Sequence, residues 1–231
     1  MNTKSSRSRD DLVLDAIERV GLGVRELLRH ALGGVDPNNI VHRLVAKNRI
    51  TSIQGALPQN RAYYLPRGEK PLGSVALSHR LALACFVQLP SRSTRIPLKR
   101  AELRSIFGDQ TPPGAHVLQT GPADRPRVML VYTPDTELIA EGILRVADRA
   151  SAFPKVAEAM KSKDYGIAVL VPWNSGLAPK LRRAAAGASV PGLGALHRTQ
   201  PLATKVHLVV DRVASPQTLT QALRETRGGG S

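Results

Sequence analysis

Apolar positions recur at helical spacing along the first fifth of the chain, then switch to a strand-like period near residue 50. "RDDLVLDAIERVG" sets Leu12, Ile17 and Val20 near one face behind Asp10 and Asp11, whose charges suit the positive end of a helix. "GVRELLRHALGG" repeats the pattern and stops at Gly33 and Gly34. A third helical stretch, "VDPNNIVHRLVAKNRI", covers residues 35–50. Its start is marked twice: Asp36 can accept from an unpaired backbone N–H, and Pro37 has the φ of a first helical position with no N–H to leave unpaired. Ile40 and Leu44, with Val41 and Val45, turn inward, which leaves Asn38, Asn39, His42, Arg43 and Lys47 for the outer face.

Two β-compatible runs follow, "RITSI" and "RAYYL", flanking Gly55, Pro58, Gln59 and Asn60. They predict a β-hairpin with a long polar tip. Three helices and a hairpin, with a short turn at Gly33 and Gly34 between the second and third helices, predict a winged helix-turn-helix over residues 8–67. "LPRGEKPLG", residues 65–73, is punctuated by Pro and Gly and marks the boundary.

Residues 68–110 are expected to form a connecting helix and a basic segment. "SVALSHRLALACFVQLP" is apolar at nearly every second or third position and predicts a buried helix that joins two domains or pairs with its copy in a dimer. Arg92, Arg95, Lys99, Arg100 and Arg104 come next, against Glu102. They read as a solvated basic face or as a second phosphate-contacting patch. Over residues 111–226 the runs "RPRVMLVYTP", "YGIAVLVPW" and "KVHLVVDRV" have the character of buried strands, and helix-like segments separate them. The expectation is a small α/β domain, giving α+β overall. "TELIAEGILRVADRA" admits two readings, a helix after Asp135 or a strand hairpin through "GILRVA".

Charge then narrows the partner. The 231 residues hold 33 Lys and Arg against 18 Asp and Glu, a formal net charge of +15, while a hydrophobic content of 42% suffices for a core. Residues 1–67 carry eleven cations and six anions, residues 111–177 seven of each, and residues 178–231 eight and two. Such a field attracts polyanions, and double-stranded DNA is the expected partner. The third helix would enter a major groove, where Asn38, Asn39, His42, Arg43 and Lys47 reach bases or phosphates. Arg49, Gln59, Asn60 and Arg61 would approach the adjacent backbone from the hairpin.

Other chemistry finds little support. Cys85 is the only cysteine, and His30, His42, His79, His116, His197 and His207 show no HxH or HExxH spacing, so no metal is expected. There is no GxxxxGK[ST] phosphate loop, no GxSxG turn and no GxGxxG after a strand, and no cofactor is expected. Ser175 reads as a turn residue and Trp173 as packing. No apolar run approaches the ~20 residues of a membrane span, and the first residues, "MNTKSSRSRDD", lack a signal's apolar segment. A cytoplasmic location away from membranes is expected. The tail "TRGGGS" is set aside.

With "NRITSIQGALPQNRAYYLP" as helix end and wing, "VYTPD" at a strand end and "YGIAVLVPWNSGLAPKLRRA" as a late strand and helix, most of residues 10–212 resembles the replication-relaxation proteins of plasmids and integrative elements. The resemblance implies a winged helix followed by a restriction-endonuclease-like core, provided that "GILRVA" is a strand. A cleaving core needs an Asp and then an acidic-x-Lys triplet to hold a divalent ion. Asp135 could serve as the first, but Arg145 stands where an acidic ligand belongs, and a cation there repels the metal. The implied domain is therefore a degenerate core, and the chain is expected not to be an enzyme. It reads as a sequence-specific double-stranded DNA-binding protein, a homodimeric transcriptional regulator from a mobile genetic element. The alternative is an accessory factor that joins other replication or conjugation proteins at an origin. A divergent nuclease using Asp135 is the remaining reading.

Overall fold

Helix α1, Arg9–Val20, is closed at both ends by its own sequence. The Ser8 hydroxyl accepts from the Asp11 N–H at 3.2 Å, and Gly21 adopts φ 73° so that its N–H reaches the Ile17 carbonyl. The helix buries Val13, Leu14, Ile17 and Val20. Leu12, expected on the inner face, is instead 42% exposed, because one residue turns a helix by ~100° and Leu12 falls outside the stripe centred on Val13 and Ile17. Strand β1, Gly23–Val24, leads into α2, Arg25–Ala31, and then α3, Asn38–Ala46.

The computed structural model describes residues 8–89, 93–109, 111–121, 125–134, 139–186, 190 and 207–228. They fall into two units, residues 1–90 with 214–231, and residues 91–213. The chain is of mixed α/β class, with helices and two sheets, α+β overall.

In the first unit, β2 (Ile50–Leu57) and β3 (Arg61–Pro66) pair antiparallel, and β1 adds to the other side of β3. The tip is shorter than expected. The strands continue past Gly55 to Leu57, across a register shift, and a three-residue turn at Pro58–Asn60 connects them. Buried Leu57, opposite Arg61, holds this extension in the ladder. Helix α4, Ser74–Gln88, buries Leu77 and a continuous run from Leu81 to Phe86.

The second sheet has the order β4 (Thr94–Leu98), β5 (His116–Thr120), β6 (Arg127–Tyr132), β7 (Tyr165–Pro172), β8 (His207–Val213). Its first three strands are antiparallel neighbours, and β6, β7 and β8 run parallel. Among the described residues four helices cover one face: α5 (Arg100–Phe107), α6 (Ile139–Ser151), α7 (Pro154–Lys161) and α8 (Leu177–Ala185). They contribute Phe107, Ile143, Val156 and Leu181 to a core with Tyr165, Ile167 and Val169 of β7. From Tyr165 to Val171 every residue of β7 is buried, which explains its unbroken apolar sequence.

One open reading is decided here, and the expected boundaries shift. "TELIAEGILRVADRA" is resolved as helix over Ile139–Ser151, with Ile139, Ile143, Ala147 and Ala150 inward at i, i+4, i+8 and i+11. The strand pair needed for a restriction-endonuclease-like order is therefore not built there, and Arg145 lies on a helix. Asp135 falls outside the described residues. The boundaries also differ. Residues 68–110 are not a separate connector, because α4 belongs to the first unit while β4 and α5 complete the second. The second unit ends at Val213, and the final helix α9, Leu219–Gly228, belongs to the first. Leu219, Ala222 and Leu223 are buried, which supplies the physical reason for the return of the chain.

Candidate nucleic-acid interface

Helix α3 is set in place by interactions that the local sequence supplies. The Asp36 carboxylate accepts from the Asn38 N–H at 3.1 Å and from Arg25 Nη2 at 3.0 Å. That backbone N–H first, and then Arg25, hold the Asp36 carboxyl below its usual range. At the other end Asn48 takes φ 51°, its N–H reaches the Val45 carbonyl, and the Arg49 N–H reaches Leu44. This paired closure ends the helix and turns the chain directly into β2. The inner face buries Ile40, Val41 and Leu44 against Val13, Leu14 and Ile17 of α1 and Leu28 of α2.

The outer face carries a polar row at i, i+4 and i+8: Asn39, Arg43 and Lys47, all exposed. His42 lies beside it and is exposed, as are Arg49 just past the helix and Gln59 and Asn60 in the hairpin turn. Asn38 is half-buried. The turn holds Gln59 and Asn60 at φ 62° and 53°, a region that Asn tolerates better than most residues.

Two arginines of the expected set already have partners within the chain. Arg43, with 47% of its side chain exposed, is already paired: Nε donates to one Asp10 carboxylate oxygen at 3.0 Å, and Nη2 makes a shorter contact to the other. These bonds hold the Asp10 carboxyl below its ordinary range and raise the pKa of Arg43. Lys47 adds to the field on Asp10, so both cations of the row lie near the start of α1. Arg61 differs more. Only 17% of its side chain is exposed; Nε donates to Glu26 at 2.8 Å, and Nη1 donates to the Thr220 hydroxyl at 2.8 Å and the Pro58 carbonyl at 3.2 Å. The side chain of Arg61, expected to approach the DNA backbone, is an internal tether directed toward α2 and α9.

Sequence reasoning missed Arg25 and Arg29, exposed at i, i+4 on α2. Both act on Asp36, and Arg29 Nε donates to the Gly34 carbonyl at 2.8 Å. Their spacing was the available signal. The loop that brings them beside the start of α3 was not.

Elsewhere, reactive groups are occupied. Cys85 is buried, and desolvation pushes its thiol up to about 12, which leaves it protonated and inert at neutral pH. The His116 ring lies 3.1 Å from the Gly114 carbonyl through Nδ1 and 2.9 Å from the Tyr165 hydroxyl through Nε2. A carbonyl can only accept, so Nδ1 carries the proton and Nε2 accepts from Tyr165. Burial lowers the His116 pKa to about 4. Ser175 Oγ donates to the Pro172 carbonyl at 2.8 Å within its turn, and Arg212 lies 4.8 Å from the centre of the Trp173 ring. Among the described residues no helix is long and apolar enough to cross a membrane, and no group of three His, Cys, Asp or Glu side chains could hold a metal ion.

The chain matches no protein-family model, no curated protein and no solved structure.

Proposed function

We propose that the protein binds double-stranded DNA sequence-specifically, as a transcriptional regulator from a mobile genetic element acting without catalysis. The first unit is read as a winged helix-turn-helix, α2 and α3 as its paired helices and β2–β3 as the wing. The observation that carries this reading is the two-sidedness of α3: Ile40, Val41 and Leu44 anchor one side, while Asn39, His42, Arg43 and Lys47 stand free of the core on the other. Asn and Arg are the side chains suited to paired hydrogen bonds on adenine and guanine edges, and the net charge of +15 supplies the attraction to phosphate. Arg49, Gln59 and Asn60 are assigned to the flanking backbone, and Arg61 is removed from that set. The resemblance to replication-relaxation proteins agrees with this use of the first unit. A homodimer reading two half-sites is the assembly proposed with it.

Selection of bound sites from random duplexes tests the reading. Recovery of one enriched motif is expected, palindromic if the protein is a dimer. Asn39→Ala is expected to cost about tenfold on that motif, roughly one lost base contact, with little change on random DNA. Lys47→Ala is expected to weaken both equally. No enriched motif, or equal losses on both DNAs for Asn39→Ala, would falsify the assignment of α3 as the reading helix.

A further inference from the structure

We propose that a pocket beside α5 in the second unit is a phosphate-binding site. The pocket measures about 580 Å³, and its lining includes Arg100, Arg104, the Asp109 carboxylate, Thr111 and Gly114. Arg100 and Arg104 are one turn apart on α5, so their guanidinium groups serve the same side of the helix. Among the described residues Arg100 has no ion-pair partner. Arg104 has only a loose one, Asp109 at 3.5 Å, whose own side chain is 95% exposed. A carboxylate so hydrated adds little to holding Arg104 and can turn away into water. A third cation is close by, because a Cβ built on Gly108 would lie 3.5 Å from Lys155 Nζ.

Gly108 and Gly114, which flank the lining residues Asp109, Thr111, Pro112 and Pro113, take φ 67° and 123°, a region open to glycine. The Thr111 hydroxyl donates to the Gly108 carbonyl at 3.1 Å. Gly114 lies so close to the sheet that a Cβ there would come within 2.9 Å of Leu130 Cδ1. Adjacent prolines, Pro112 and Pro113, stiffen the remaining side. Two planar, permanently charged forks on one side of α5 match the oxygens of a phosphate group, which accepts paired N–H bonds from arginine. The volume lies within the range of small-molecule sites, so the phosphate can belong to a nucleotide-sized ester or to a nucleic-acid backbone. The pocket stands independently of the role proposed for α3.

The test uses the full chain as wild type, R100Q/R104Q, R100K/R104K and D109N. Thermal unfolding is followed with inorganic pyrophosphate and with AMP as probes, and binding to a random-sequence duplex is measured against salt. A saturating probe is expected to raise the wild-type midpoint by roughly 2–4 °C. The shift should vanish in R100Q/R104Q, persist in part in R100K/R104K and reach half-maximum at lower probe concentration in D109N. If a DNA backbone supplies the phosphate, R100Q/R104Q also lowers the slope of log K against log salt by about 0.9, the value for one phosphate. A shift with AMP and an unchanged slope identify a small ester instead. Circular dichroism without probe confirms that the variants fold, as exposed positions should allow. The proposal is overturned if the midpoint shift survives in R100Q/R104Q, or if neither readout separates that variant from wild type.

Discussion

Arg43 is already paired with a carboxylate, which bears on the DNA contact proposed for it. Its two bonds to Asp10 hold the guanidinium toward α1, so any base contact must compete with that pair. Asp10→Asn removes the competitor and one negative charge. It is expected to raise affinity for random duplex roughly two- to fivefold at low salt, with the gain fading as salt rises; fluorescence anisotropy across a salt series measures it. His116 carries a different consequence. Its pKa falls from 6.5 to about 4 on folding, so below pH 6.5 the unfolded chain takes up a proton that the folded chain refuses. Stability contributed by the neutral ring is complete above 6.5, declines as pH falls toward 4 and changes no further below it, a loss of about 3 kcal/mol at most. Urea midpoints from pH 7 to 4 should therefore drop more steeply for wild type than for His116→Asn. Equal slopes would show that the ring protonates freely in the fold.

The elements depend on a few backbone positions that their sequences only partly advertise. Asn48 joins α3 to β2 in a left-handed conformation, and a β-branched residue there is strained by about 1–2 kcal/mol. Asn48→Val is expected to lower the unfolding midpoint by that equivalent, whereas Asn48→Gly should be tolerated. Gly166 in β7 has a stricter requirement, since an added Cβ would collide with the His207 carbonyl oxygen and lie 3.0 Å from Met129 Cε. A backbone oxygen held in a parallel ladder has little room to yield. Gly166→Ala is expected to cost about 1–3 kcal/mol, read from chemical denaturation, and hydrogen exchange should place the loss in β6, β7 and β8. The same local logic explains α6: Gly142 faces Tyr132 so closely that a Cβ would strike the phenol, and a helical period of apolar residues around that glycine outweighs its poor helix propensity.

At the scale of the molecule the C-terminal helix is part of the first unit, not an appendage of the second. Truncation after residue 213 removes buried Leu219, Ala222 and Leu223 and leaves Arg61 without Thr220. It should increase exchange of β3 amides and protease sensitivity in residues 8–89, while β7 keeps its protection. Unchanged protection of β3 would show that α9 is dispensable there. The sequence by itself determined the local elements: three amphipathic helices, a hairpin and the buried strands follow from periods of 3.6 and 2 together with capping residues such as Asp36 and Gly21. It also carried the polar row of α3, because Ile40 and Leu44 leave Asn39, Arg43 and Lys47 opposite them whatever the neighbours are. Tertiary structure decided what those periods leave open. Whether Arg61 faced outward or inward depended on Glu26 and Thr220, residues 35 and 159 positions away. The partner of Arg43 and the membership of α4 and α9 likewise arise from segments brought together by burial. A local pattern specifies which face of an element is apolar, and long-range packing selects what that face and its polar edges meet.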